Sequence, residues 1–168
     1  IRVPRKKIYN DIVEAIHHSP MVRLNKIPKS EGIECEILGK CEYFLPGGSL
    51  KDRIAKRMIE DAEKSGKIKP GATIIEATSG NTGIGLSLVG AVRDYNILIT
   101  LPDKMSQEKE DVINALGAKV IRTPTEASFS GTESHMGIAR QKELDLDNAF
   151  ILDQYTNPSN PMVHYDET

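Results

Sequence analysis

Two short stretches carry side chains that could do chemistry: residues 45–53 read LPGGSLKDR and residues 79–83 read SGNTG. In the first, a proline and two glycines give way to Ser49, and Lys51 stands where a helix opens. The first turn of a helix carries partial positive charge, so an ammonium group there is misplaced by roughly 0.3–1 kcal/mol. An amine that must act as a nucleophile at neutral pH has the opposite need. Desolvation and a nearby positive potential both favour its uncharged form. Lys51 is therefore a candidate nucleophile or base, set against its reading as one member of a charged surface run, Lys51-Asp52-Arg53. In the second stretch the glycines let backbone approach a ligand. The hydroxyls of Ser79 and Thr82, the amide of Asn81 and the N–H groups of a helix start make an anion nest suited to a carboxylate or a phosphate. The competing reading is a tight strand-to-helix turn in which Gly85, Ser87 and Gly90 merely allow close packing. Neither G-x-G-x-x-G nor G-x-x-x-x-G-K-[ST] is present, and no serine sits in a G-x-S-x-G elbow.

The elements that must position these residues follow from hydrophobic period and turn residues. Residues 8–16 suggest a short helix, Pro20 a break, 21–27 a brief extended run, and 34–43 alternate like a strand. Over 50–65, Leu50, Ile54, Met58 and Ala62 recur at four-residue spacing and Gly66 closes the helix. Residues 73–78 form a β-branched run, followed by SGNTG and a small-residue helix over 82–93. Strands at 96–102, 119–124 and 149–154 alternate with helices at 106–117 (Ser106 and Gly117 as caps) and 133–144. This rhythm predicts an α/β fold, a parallel sheet with helices on both faces. In such sheets ligands bind beyond the carboxyl ends of the strands, where SGNTG falls.

The 168-residue chain suits one ordinary domain, and its formal net charge of −2 gives no electrostatic footprint for nucleic acid. No apolar run reaches membrane-spanning length, and the start shows no signal-peptide pattern. Cys35 and Cys41 share one face of the expected strand, too far apart along it to bridge, and read as reduced core residues of a cytoplasmic protein. The four histidines have no metal-ligand spacing with a carboxylate or thiol, so no metal site is expected. The chain opens at Ile1 and closes where Asp166 and Glu167 look like the start of a further helix, so it reads as a piece of a longer protein.

GGSLKDR followed by SGNTG about 30 residues on resembles the fold-type II pyridoxal-phosphate enzymes, the cysteine synthase and cystathionine β-synthase group. IKPGATIIEATSGNTGIGL, KMSQEKEDVINALGAKVIRTPT, ESHMGIA and ILDQYTNPSNPMVHYDET resemble its eukaryotic cystathionine β-synthase branch more than bacterial cysteine synthases. The resemblance implies the smaller, N-terminal domain of such an enzyme's catalytic core. It implies pyridoxal 5'-phosphate held as a Schiff base on Lys51, which then takes the α-proton, with Asn81 hydrogen-bonded to the pyridoxal 3′-oxygen. Thr78, Ser79, Thr82 and Gln154 would bind the substrate carboxylate, and Tyr155 would line the same cleft. The implied reaction is β-replacement, serine plus homocysteine giving cystathionine, a step of transsulfuration and cysteine biosynthesis, in a protein that forms a homodimer or higher homo-oligomer.

The resemblance also implies a division of the chain. Residues 1–39 would pack on a second domain, 40–155 would form the α/β unit with the lysine and the carboxylate loop, and 156–168 would begin the connection onward. The family's phosphate loop and pyridine-nitrogen partner belong to that second domain, so this chain alone is expected to be inactive. Haem, which animal members bind upstream, is not expected here. Two positions depart from the pattern: Leu45 replaces an asparagine, and HHSP at 17–20 replaces a Gly-Asp/Asn-Thr-Pro sequence. Three other readings stay open: a cysteine synthase, a non-catalytic truncated isoform acting through a partner subunit, and a phosphate-binding α/β module without lysine chemistry.

Overall fold

The computed structural model describes residues 8–128 and 130–168. Its centre is a four-stranded sheet built from β3 (Thr73–Ala77), β4 (Asn96–Pro102), β5 (Lys119–Thr123) and β6 (Ala149–Ile151). The strands run parallel in the order β5-β4-β3-β6, with Ile75 opposite both Leu98 and Ile151. Central strands covered on both faces must be apolar nearly throughout, and Ile74, Ile75, Ile99 and Leu101 are wholly buried.

On one face lie α2 (Lys51–Lys64), α3 (Asn81–Val92) and α4 (Gln107–Ala115). The apolar stripe of α2, Ile54, Ala55, Met58, Ile59 and Ala62, joins Leu86, Val89, Ile99 and Ile113 in the larger core. On the other face α5 (His135–Asp145) packs Met136 and Ala139 against Ile75, Ala77 and Leu98. Its first residue is tied to the sheet because the Thr100 hydroxyl donates to the His135 carbonyl at 2.7 Å. Left-handed glycines close two of these helices, Gly66 at φ 74° and Gly117 at φ 86°. The alternation expected from the sequence, helices on both faces of a parallel sheet, is the observed fold.

The first forty residues differ from expectation. Only Val13–Ala15 make a 3-10 turn within the expected helix 8–16, started by Asp11 Oδ1, which accepts from the amides of Val13 and Glu14. So short a segment gains little from helix hydrogen bonds, and the chain turns instead to bury Val13 and Ile16 in the larger core. The expected strand 34–43 shrinks to β2 (Leu38–Lys40), paired antiparallel with β1 (Met21–Arg23) in a separate two-stranded ribbon. With one short partner, pairing stops where β1 stops. Between them α1 (Lys26–Ser30) takes Lys26 and Ile27 out of the extended run expected over 21–27. Cys41 is buried but Cys35 is exposed, so the expectation of two core cysteines on one strand face fails for Cys35. At the far end α6 (Ser159–Glu167) is a formed helix that Asp166 and Glu167 close rather than open. Among the described residues no helix is long and apolar enough to cross a membrane.

Candidate active site

Lys51 is the first residue of α2 and is half-buried, its amide donating to the Ser49 hydroxyl at 3.2 Å. The glycine loop before it is fastened from below by Asp52, whose Oδ2 accepts from the Gly47 amide at 2.6 Å. Asp52 is completely buried, and burial pushes its carboxyl up to about 6, the Gly47 amide working against the shift. A Cβ at Gly47 would lie 2.9 Å from the Asp52 carboxyl carbon, so any larger residue there would displace that carboxyl. Arg53 is buried too, its Nε donating to Glu42 Oε2 at 2.7 Å and its Nη2 to Glu42 Oε1 at 3.1 Å. The reading of Lys51-Asp52-Arg53 as a charged surface run is therefore wrong for two of its three members. Asp52 turns under the loop and Arg53 toward Glu42, Ser19 and Glu167, which leaves Lys51 as the least buried of the three.

The start of α3 meets the start of α2 at Gly85. A Cβ there would lie 3.0 Å from Ala55 Cβ, 3.1 Å from the Lys51 carbonyl oxygen and 3.2 Å from Asp52 Cα. Asn81 precedes Gly85 by one turn on the same side of α3, so Lys51 and Asn81 stand at the same end of the helix pair. Asn81 is exposed and opens α3, while Gly80 before it takes φ 132°, a conformation reserved for glycine.

Beneath that turn runs a closed polar network. The Thr82 hydroxyl donates to Gln154 Oε1 at 2.6 Å, and Gln154 Nε2 donates to the Ala77 carbonyl at 3.2 Å. Thr78 Oγ1 accepts from the Gly80 amide at 3.1 Å. Thr78, Thr82 and Gln154 are all buried, whereas Ser79 is exposed. Glu76, in the strand just before, is buried among them. Its Oε1 accepts from the Gln154 amide and its Oε2 from the Asp153 amide, both at 3.0 Å. Burial pushes the Glu76 carboxyl up to about 7, even though the two amides pull it down.

Above the carboxyl ends of β3, β4 and β5 opens a cleft of about 410 Å³ whose walls include Ser79, Pro102, Lys104, His135 and Tyr155. Burial and the Lys104 charge hold His135 below the usual imidazole range. The structure thus brings Ser79 and Tyr155 to one cleft, with Thr82 and Gln154 hydrogen-bonded below the same turn. Lys51 and Asn81 stand at the α2–α3 end and do not line that cleft. Lys109 of α4 adds a cation at the turn, its Nζ donating to the Ser79 carbonyl at 3.4 Å. Glu76, Asp52 and Lys109 were not singled out by sequence reasoning. A carboxylate inside the apolar run TIIEAT was the available signal for Glu76.

The model of the pyridoxal-phosphate dependent enzymes matches residues 12–168, and the chain belongs to that family. It is 59% identical over 162 residues to cystathionine beta-synthase of Apis mellifera and 58% identical over 162 residues to that of Mus musculus. The corresponding yeast enzyme, from Saccharomyces cerevisiae, is 52% identical over 157 residues. These alignments cover 93–96% of this chain and 29–32% of the relatives, so the chain spans about a third of their length. Among solved structures, a hydrogen sulfide-producing enzyme from Fusobacterium nucleatum superimposes with TM-score 0.86 at 38% identity, covering 98% of this chain and 52% of that one. O-ureido-L-serine synthase superimposes with TM-score 0.86 at 36% identity, covering 96% and 49%.

The residues present suit the aldehyde end of pyridoxal phosphate. A half-buried primary amine on Lys51 and an exposed amide on Asn81 stand at one end of two helices whose separation is fixed by a backbone contact. Of the buried hydroxyls, Thr82 spends its proton on Gln154 Oε1, whereas Thr78 accepts from Gly80 and keeps its own.

Proposed function

We propose that this chain supplies the lysine and the substrate-carboxylate site of an enzyme that condenses serine with homocysteine to give cystathionine. The observation that carries the reading is the contact at Gly85, which sets Lys51 and the 79–83 turn at neighbouring helix starts. The 52–59% identity to three cystathionine beta-synthases supports the choice of substrates.

Lys51 and Asn81 hold the cofactor, the lysine through its amine and Asn81 through a hydrogen bond to the ring hydroxyl. When bound, pyridoxal phosphate supplies an electron sink at the substrate's α-carbon. The chain's own residues do the rest. The protons of Thr78 and Ser79 and the amides at the start of α3 converge on the serine carboxylate, with the Gln154 side-chain amide beside them. Lys51 Nζ takes the proton from serine Cα and returns one to the same carbon after replacement. Between those steps the Cβ–O bond breaks, the hydroxyl taking the proton held on Lys51 Nζ and leaving as water. The homocysteine thiol then gives its proton to the freed amine as its sulfur forms the Cβ–S bond. Tyr155, half-exposed on the cleft wall, shields the reacting carbon from solvent.

In this reading residues 40–155 are the lysine-bearing unit, residues 1–39 serve contacts with a further domain, and 156–168 lead toward it. The exposed side chains of β1, with the adjacent exposed Leu24, Ile27 and Leu38, support that role for the early segment. The assembled enzyme is a homo-oligomer of the cytoplasm, where the unpaired thiols of Cys35 and Cys41 stay reduced. The test is to give the full-length protein pyridoxal phosphate and serine with either homocysteine or sulfide, and to measure products by mass spectrometry. Cystathionine formed in preference to cysteine supports the reading; cysteine alone would reassign it as a cysteine synthase.

A further inference from the structure

Resting on that carboxylate site, we infer that Glu76 is its positioning residue: a buried carboxylate that holds the Asp153-Gln154 backbone so that the Gln154 side chain faces the ligand. Glu76 touches no candidate ligand position itself. Its two oxygens accept one amide each, from Asp153 and from Gln154, both at 3.0 Å. Those amides reach a single carboxylate with Asp153 at φ 57°, a left-handed conformation uncommon for residues with a side chain and best tolerated by asparagine and aspartate.

The chain of contacts then runs on without a break. With its backbone pinned, Gln154 directs Nε2 to the Ala77 carbonyl and Oε1 to the Thr82 hydroxyl at 2.6 Å. Its own carbonyl accepts from Asn160 Nδ2 at 2.8 Å, which fixes the chain on the far side. A neutral glutamine at position 76 has one acceptor oxygen and an NH₂ group. One of the two amides would then face a donor, and the 153–154 turn would rotate away. Strand pairing alone does not call for this arrangement. Thr73, Ile74 and Ile75 already pair with Ala149, Phe150 and Ile151, and Glu76 lies just past the last paired residue. What Glu76 adds is the orientation of Asp153 and Gln154, which follow β6 beyond Leu152.

The test reads binding rather than turnover. Full-length holoprotein and its Glu76→Gln variant are titrated with L-serine and with L-serinamide, which lacks the carboxylate, following the change in cofactor absorbance. The wild-type protein should bind serine at least tenfold more tightly than serinamide. In Glu76→Gln serine binding should weaken by roughly tenfold, the worth of one hydrogen bond to a charged group, with serinamide binding within about twofold of wild type. Glu76→Asp reaches the same link by a smaller change, because it keeps the charge and both acceptor oxygens but draws them back from the Asp153 and Gln154 amides. It should give the same selective loss and decides the matter if Glu76→Gln does not fold. Equal weakening of both ligands, or of neither, would overturn the inference. A wild-type protein that does not distinguish the two ligands would overturn the carboxylate site itself, and this role with it.

Discussion

Arg53, its guanidinium wholly shielded from solvent, is paired with Glu42 by two hydrogen bonds of 2.7 and 3.1 Å, in the helix that begins with Lys51. The same guanidinium donates to the Ser19 hydroxyl at 3.4 Å and to the Glu167 carbonyl at 3.3 Å, so one side chain joins the early segment, α2 and α6. Removing it strands a carboxylate that is only 14% exposed. Arg53→Met should cost about 3 kcal/mol or more, read as a lower urea midpoint. A loss below about 1 kcal/mol would mean that water replaces the guanidinium freely.

Gly85→Ala tests the contact between the two helix starts. Two of the three atoms that the new methyl group meets are backbone, the Lys51 oxygen at 3.1 Å and Asp52 Cα at 3.2 Å, and cannot rotate aside. Overpacking of this kind costs about 1–3 kcal/mol. The variant should unfold at lower denaturant and its Lys51 should react more slowly with pyridoxal phosphate. An unchanged Lys51 rate would show that the lysine does not depend on the helix spacing.

Lys51 should be the lysine that pyridoxal phosphate modifies in the full-length protein, as found by borohydride reduction and peptide mapping. Label on Lys40, Lys56 or Lys104 instead would refute the assignment. Lys51→Arg should abolish turnover, since a guanidinium cannot replace the amine.

Ser79 and Asn81 should fail differently. Ser79→Ala removes a donor to the substrate carboxylate, and KM for serine should rise by the equivalent of about 1.5–3 kcal/mol with the cofactor spectrum intact. Asn81→Ala should shift that spectrum as well. Two variants with unchanged spectra and equal rises in KM would show that the proposed roles are wrong.

Stability should fall as pH rises through the range of the buried carboxyls. Glu76 goes from 4.5 when unfolded to about 7 when folded, so the folded protein binds the extra proton. Its stabilising effect is complete below 4.5 and is lost as pH passes about 7. Asp52 has the same sign between 3.8 and about 6. Unfolding free energies of wild type and Glu76→Gln, compared from about pH 5 to about pH 8, should show the wild type losing ground. The opposite slope would mean that the two amides outweigh burial.

The sheet was legible because its strands are short apolar runs between turn residues and the helix over 50–65 keeps a four-residue apolar spacing. Residues 8–43 offered no such redundancy. Their short apolar alternations fit a helix or a strand equally well until partners are known, and β1 has a partner of only three residues. In the site, Lys51 and the SGNTG turn stood out because each contradicts or exploits a helix start. Gln154 and Tyr155 came from family resemblance; nothing local marks them. The burial of Asp52 and Arg53 had no local signal, because a charge triplet does not reveal that one member fastens the preceding loop and another pairs with Glu42.

The contact at Gly85 also decides which alterations could suit the site to a different ligand. Where main chain rests on a neighbouring side-chain stub and on main chain, the gap between the two helix ends is a machined tolerance. Loop changes at 45–50 or 78–80 can re-aim a side chain but cannot stretch that gap. A bulkier cofactor analogue therefore calls for a wider α2–α3 gap, which a larger side chain at Gly85 would force and which trimming the Ala55 stub would not, since the helices would then settle closer together.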